Sequence, residues 1–159
     1  MCSSDLGRVP TEIAVDKFRN PATKIAFAGI KPGDVVVDFV PGDGYYTRIL
    51  SKTVGPKGKV YDMVPLAAGL RDVEEQRRLE QEYIKRGKEP PFHTADPVLA
   101  IQNIQEYSNL TVIWLNLNQF GGQFSLPEQV DAVWISDAYH ALSENVYKVP
   151  DMLSINRSV

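Results

Sequence analysis

The stretch Val35-Val-Val-Asp-Phe-Val-Pro-Gly-Asp-Gly-Tyr-Tyr-Thr47, VVVDFVPGDGYYT, decides the fold. Val35 to Val40 is apolar except for Asp38, the mark of a strand covered on both faces, as in a parallel sheet. Gly42 and Gly44 punctuate the chain, and Tyr45 to Val54 then sets Tyr46, Ile49, Leu50 and Val54 along one side of a helix. Gly55-Pro56-Lys57-Gly58 stops that helix, and Lys59 to Val64 reads as a second strand. Strand, glycine turn, helix, turn and strand in that order make a βαβ unit.

Working outward, Thr11 to Gly29 carries Ile13, Val15, Phe18, Ile25 and Phe27 and is interrupted at Asn20-Pro21, which predicts two short helices. Lys31-Pro32-Gly33-Asp34 is a turn ahead of the first strand. Downstream, Val73 to Arg86 is a charged helix broken by Glu89-Pro90-Pro91, and Asp96 to Tyr107 is a further helix. Leu110 to Leu115 is a third strand, Asn116 to Glu128 a polar loop, Val130 to Ser136 a fourth strand, and Tyr147 opens another helix. Strands alternating with helices predict an α/β architecture: a Rossmann-like three-layer αβα sandwich with about four parallel strands.

Composition narrows the function. A chain of 159 residues, 43% hydrophobic with a formal charge of -3, reads as one soluble globular domain. The 17 Lys and Arg are scattered rather than gathered into a basic face, which argues against a nucleic-acid partner. No apolar run approaches the roughly 18 residues that a membrane-spanning helix requires. Cys2 is the single cysteine, and His93 and His140 lack metal-ligand spacing, so neither a disulfide framework nor a metal site is expected; His93 reads as surface loop. Met1-Cys2-Ser3-Ser4-Asp5-Leu6 matches the translation of a sequencing adapter, so residues 1–6 are set aside as an assembly artefact. Residues 7–34 then form an N-terminal helical segment and 35–159 the α/β domain. Localisation stays open, with the cytoplasm the default and export an alternative.

Ligands of such sheets sit beyond the carboxyl ends of the strands, where glycines let backbone approach them. Gly42 and Gly44 have that placement, and Asp38 offers a carboxylate to a cationic or hydroxyl-bearing ligand. A dinucleotide fingerprint needs a third glycine where Thr47 stands, and a phosphate-gripping loop needs Gly-Lys-Ser/Thr, which is absent. What remains is an acid four places before G-x-G. With FAGIKPGDVVVDFVPGDGYYTRILSKTVGPKGKVYDMVP, the segment Tyr45-Tyr46-Thr47-Arg48-Ile49-Leu50-Ser51 and the dipeptide Tyr139-His140, this pattern resembles the class I S-adenosylmethionine-dependent methyltransferases over about Asp16 to Val159. Within them it resembles a group of small predicted methyltransferases.

The resemblance implies S-adenosylmethionine as cofactor, with Asp38, Pro41, Gly42 and Gly44 lining the pocket for its methionine part and Val40, Tyr46, Asp62 and Val64 also among the cofactor-binding residues. Two positions depart from the family. Val40 stands where a glycine is usual, and its branched side chain narrows the turn. The end of the second strand offers Val64-Pro65 where an acid usually grips the ribose hydroxyls; Asp62, two positions early on the same face, substitutes if the strand frays at Tyr61. Asn116 and Asn118 would face the adenine edge, and Ser136 the cofactor at the fourth strand's end. Ser136-Asp137-Ala138-Tyr139-His140 lies where the family meets its acceptor and fits the Asp/Asn-Pro-Pro-Tyr pattern of base-methylating enzymes poorly. His140 is the titratable base expected near that point, beside Tyr139.

The expected function is methyl transfer from S-adenosylmethionine to a small-molecule acceptor. The alternatives are a non-catalytic binding or interaction domain on the same fold and, less favoured, a nicotinamide-dependent reductase. Against the family's sheet, four strands leave the last ones expected beyond Val159, and the fragment by itself is expected to be inactive.

Overall fold

In the computed structural model, residues 8–66, 73–90, 96–115 and 126–138 are described. Helix α1 (Pro10–Arg19) starts on a proline and ends at Asn20, whose φ of 49° lies in the left-handed region that asparagine tolerates. Pro21 cannot continue α1 and instead opens α2 (Pro21–Ala28), as the Asn20-Pro21 break predicts. Strand β1 (Val35–Phe39), helix α3 (Tyr45–Val54) and strand β2 (Lys59–Pro65) form the βαβ unit. Helix α4 (Val73–Lys85), helix α5 (Asp96–Gln102), a single 3-10 turn (Gln105–Tyr107), β3 (Leu110–Leu115) and β4 (Ala132–Trp134) follow.

The strands are parallel and lie in the order β3-β2-β1-β4. From β1 the chain builds outward through β2 to β3, then returns to place β4 on the other side of β1. The strand order therefore reverses between β1 and β4, the point at which open parallel sheets leave a crevice at their carboxyl ends. Alternation along the strands assigns the two faces. Val36, Val60 and Val64 face a cluster built with Ile25 of α2, Tyr46, Ile49, Leu50 and Val54 of α3, Val98 and Ile101 of α5, and Tyr107. Val37, Phe39, Tyr61 and Met63 fill the opposite face with Val40 and Ala138. Each such side chain removed from water contributes roughly 1.5–3 kcal/mol, so the near-continuous apolar strands hold the sheet between two buried faces.

Two elements are shorter than their sequence pattern predicts. The helix expected over Asp96–Tyr107 ends at Gln102, and Ile104 is extended at φ -90°, ψ 125°. That break lets Tyr107 turn inward to complete burial with the Lys52 ammonium 4.8 Å from its ring centroid, while the Gln102 side chain accepts the Val112 N–H at 2.8 Å. The fourth strand, expected over Val130–Ser136, is confined to Ala132–Trp134. Asp131 is spent as a latch: its carboxylate accepts the Val35 N–H and its own N–H donates to the Val35 carbonyl, both at 2.8 Å. At the far end Asp137 adopts φ 57° and takes the chain out of the ladder. The helix expected from Tyr147 lies outside the described residues.

Candidate functional site

The turn between β1 and α3 is built by backbone geometry that few residues adopt. Val40 sits at φ 57°, Gly42 at 61° and Gly44 at 78°. For Val40 this is a strained conformation, worth of order 1–2 kcal/mol against a β-branched residue; its N–H is nonetheless fixed by donation to the Met63 carbonyl at 3.0 Å, and its side chain is buried. The Gly44 N–H closes the turn on the Pro41 carbonyl at 3.1 Å, and the Asp43 carboxylate accepts the Tyr45 N–H at 3.1 Å at the start of α3. The two glycines do different work. A Cβ on Gly44 would run into Ile101 Cδ1 and press on Val98 Cγ1, so Gly44 lets α5 close over the helix start. A Cβ on Gly42 would meet nothing within 4 Å, so Gly42 borders open space.

That space is a cleft of about 320 Å³ at the carboxyl ends of β1 and β4, where the strand order reverses. Val40, Pro41, Gly42 and Asp43 form one wall; Ser136, Asp137 and Ala138 form the other. Arg19, from the last turn of α1, also lines it. A second groove of about 490 Å³ shares Ser136 and Asp137 and runs on between Lys24 and Phe27 of α2 and Trp134 of β4. A larger cavity, about 630 Å³, lies among α1, α2 and α3 against Ile13, Ile25, Ile30 and Ile49, away from the strand ends.

The N-terminal helices are pinned to the turn by charge. Arg8 grips Asp16 through two nitrogens at 2.9 and 2.6 Å, and Tyr45 donates its hydroxyl to the same carboxylate at 2.5 Å. The bonds from Arg8 hold the Asp16 carboxyl below its ordinary range, while burial, reinforced by Asp16, pushes the Tyr45 phenol up. Arg48 pairs with Glu12 at 2.8 Å and donates to the carbonyls of Asp43 and Gly44. Residues from α1 thereby reach both the turn and the start of α3.

Behind the turn lies a buried carboxyl pair. Asp38 and Asp62 are register partners on β1 and β2, 2% and 0% exposed, and the Thr47 hydroxyl of α3 lies 2.8 Å from Asp38 Oδ2 and 3.2 Å from Asp62 Oδ1. One hydroxyl has one proton to give. Thr47 donates it over the shorter contact to Asp38, so the bond to Asp62 requires Asp62 itself to be the donor, as a neutral acid. Its second oxygen, Oδ2, has no hydrogen-bond partner, a state that a neutral carboxyl tolerates far better than a buried charge. Electrostatics agrees: burial pushes Asp38 up to about 7, opposed by the Thr47 hydrogen bond and aided by Asp43; burial and then the Asp38 charge push Asp62 well above its ordinary value, against Thr47 and Arg48. On the same side α5 presents the apolar Val98 and Ile101.

The structure brings Val40, Pro41, Gly42 and Ser136 of the sequence-derived set together around the cleft. It separates Asp38, Gly44, Tyr46, Asp62 and Val64 from it. Asp38 faces Thr47 rather than the cleft, and Gly44 faces α5. Tyr46 is core, tilted against Trp134 with ring centroids 4.9 Å apart, its hydroxyl accepting from Lys24 at 3.4 Å, and Val64 is core as well. The fraying at Tyr61 on which Asp62 as a ribose ligand depends does not occur: β2 stays paired through Pro65↔Leu115, because both of its neighbours hold it, and Asp62 is sealed in mid-strand. Asn116, Asn118, Tyr139 and His140 lie outside the described residues. Sequence reasoning missed Thr47, Arg19 and Asp43 as site residues, and named Asp137 only as part of the acceptor-side stretch that follows the fourth strand. The equal spacing of Asp38 and Asp62 in two adjacent parallel strands was a usable signal for the first; Arg19 has none, since it reaches the cleft from α1.

By topology the chain has a Rossmann-like, parallel α/β fold with the strand order of a doubly wound sheet. It is similar to solved structures of methyltransferases. One is a SAM-dependent methyltransferase from Aquifex aeolicus, 24% identical over 84% of this chain and 61% of that one, with a TM-score of 0.46. Others are fibrillarin from Aeropyrum pernix with natively bound S-adenosyl-L-methionine (16%, 74% and 41%, TM-score 0.43) and a SAM-dependent O-methyltransferase from Thermotoga maritima (19%, 79% and 37%, TM-score 0.41). The chain thus spans less than two thirds of the length of each of these structures. No family model and no curated protein matches it. Among the described residues no helix is long and apolar enough to cross a membrane.

Proposed function

We propose that the chain is the cofactor-binding part of an S-adenosylmethionine-dependent methyltransferase acting on a small-molecule acceptor. The observation that carries the reading is the cleft at the β1/β4 reversal, with the open Gly42 on one wall and Ser136 on the other. Its residues suit the amino-acid end of the cofactor: a guanidinium, two carboxylates and a stretch of bare backbone. At about 320 Å³ it fits that end rather than the whole molecule. The ribose end is less well served, because the end of β2 presents Val64, Pro65 and Leu66, all buried, where an acid would be needed. When bound, the cofactor supplies a methyl carbon that an acceptor lone pair attacks as the carbon–sulfur bond breaks. The chain's contribution is chiefly to orient and to exclude water. Tyr139 and His140 follow Ala138 directly in sequence and are proposed to stand on the acceptor side, with the His140 imidazole taking the proton that a hydroxyl or amine acceptor releases.

The strained Val40 and the sealed Asp62 favour one competing reading, a domain that binds the ligand without turnover. Isothermal titration with S-adenosylmethionine, S-adenosylhomocysteine and NADH separates the possibilities. Binding of the first two with no heat from NADH supports the proposal; binding of NADH alone, or of none, contradicts it. Methyl transfer by a full-length protein then divides enzyme from binding domain.

A further inference from the structure

Three arginines meet at the junction between α1 and the β1–α3 turn, and two of them are engaged. Arg8 is held by Asp16 and Arg48 by Glu12. Arg19 differs: among the described residues it has no carboxylate partner, and it lines the cleft. Its guanidinium is nevertheless held in place, with its carbon 4.6 Å from the centroid of the Tyr45 ring. That ring is itself fixed, because the Tyr45 hydroxyl is bonded to Asp16 and Asp16 is clamped by Arg8. A stacked guanidinium loses little freedom when it takes a planar anion, and its paired N–H groups match a carboxylate. Asp43 and Asp137 line the same cleft, the Asp43 carboxylate with one oxygen accepting the Tyr45 N–H, and Gly42 leaves open space beside them.

We propose that Arg19 is the specificity residue of the cleft, receiving the α-carboxylate of the ligand's amino-acid end while Asp43 and Asp137 face its α-ammonium group. This rests on the reading of the cleft as the S-adenosylmethionine site and adds to it the group that distinguishes the amino acid from the bare nucleoside. The charges match in sum as well as in place. One guanidinium and two carboxylates leave the cleft with a net negative charge, and S-adenosylmethionine, with a carboxylate, an ammonium and a sulfonium, is a net cation.

The test is calorimetric titration of the protein and of Arg19→Gln with three probes: S-adenosylmethionine, its decarboxylated analogue and 5′-methylthioadenosine. Removing one charged partner of a two-point pair weakens binding by roughly tenfold or more. Arg19→Gln is therefore expected to bind S-adenosylmethionine at least about tenfold more weakly, and to leave the other two probes within about twofold, since neither has the carboxylate. Arg19→Lys, which keeps the charge and loses the fork and the stacking, should fall between the two. Thermal melting of each variant checks that the fold is retained. If Arg19→Gln weakens all three probes alike, or none, the assignment of Arg19 is overturned while the cofactor reading stands. If the unaltered protein binds none of the three, the cofactor reading falls and the assignment with it.

Discussion

The turn after β1 and the end of β2 lie one strand apart at the same edge of the sheet, and they are finished in opposite ways. After β1 the chain departs through three left-handed residues, opens a cleft beside Gly42 and surrounds it with charge. After β2 it stays in the ladder to Pro65 and closes over with Leu66, whose N–H donates to the Leu115 carbonyl at 2.8 Å. Both strands carry an aspartate at the matching register position, and both aspartates are buried. Position in a parallel sheet therefore creates the opportunity for a site, and the residue that ends the strand decides whether the opportunity is taken. A strand that ends in backbone with positive φ releases its last residues toward a ligand; one that ends in ladder hydrogen bonds keeps them in the core.

The largest effect expected falls on the turn's structural glycine. Gly44→Val forces a branched side chain into φ 78° and against Ile101, and overpacking of this kind costs about 1–3 kcal/mol with left-handed strain of about 1–2 kcal/mol added. Urea unfolding should show the lowered midpoint. Gly42→Val sharpens the contrast, because its side chain enters open space: it should lose only the strain term in stability and weaken S-adenosylhomocysteine binding about tenfold or more.

Next in size is a pH effect from the buried pair. Asp38 is raised in the folded protein to about 7 from an unfolded value near 4, so the folded state holds the extra proton between those limits. The stabilisation is complete below about pH 4 and is lost as pH rises through about 7; one proton is worth about 2 kcal/mol of lost stability between pH 5 and 7. Asp16 and Glu128, which are lowered, act in the opposite sense only at more acid pH. Asp62→Asn keeps a donor for Thr47 and removes one of the two acids, and should flatten the decline seen in melting curves across that range. A stability that rises from pH 5 to 7 would contradict the shared-proton arrangement.

The smallest effect belongs to Val40→Gly. Relief of about 1–2 kcal/mol of strain is set against the loss of a buried valine, worth roughly 1.5–3 kcal/mol, so the net change in stability should lie between about 0.5 kcal/mol of gain and about 2 kcal/mol of loss. Binding of S-adenosylhomocysteine should tighten as the turn widens; unchanged affinity would place Val40 off the ligand's path.

Much of the fold was legible because its signals are local. The apolar run before Gly42, the Asn20-Pro21 break and the amphipathic Tyr45–Val54 helix each fix an element within a few residues, and all three stand as read. Where burial across the chain decides, the local pattern failed: Tyr107 leaves the helix to fill the core, and Asp131 leaves the strand to latch β1. The site divides in the same way. Val40, Pro41 and Gly42 could be placed from their order after the strand, whereas the roles of Asp38 and Gly44 depend on Thr47 and on α5, which no motif connects to them. Arg19 was invisible because its place at the cleft depends on how α1 packs.

Where the ligand sits is the central question. Two-dimensional NMR of the labelled protein titrated with S-adenosylhomocysteine reads this residue by residue. With the ligand in the cleft, the amide signals of Gly42, Asp43, Ser136 and Asp137 move together and saturate at one affinity. Saturating shifts confined to Ala22, Ile25, Ile30 and Ile49, around the larger cavity among the helices, with the cleft unmoved, would contradict that placement.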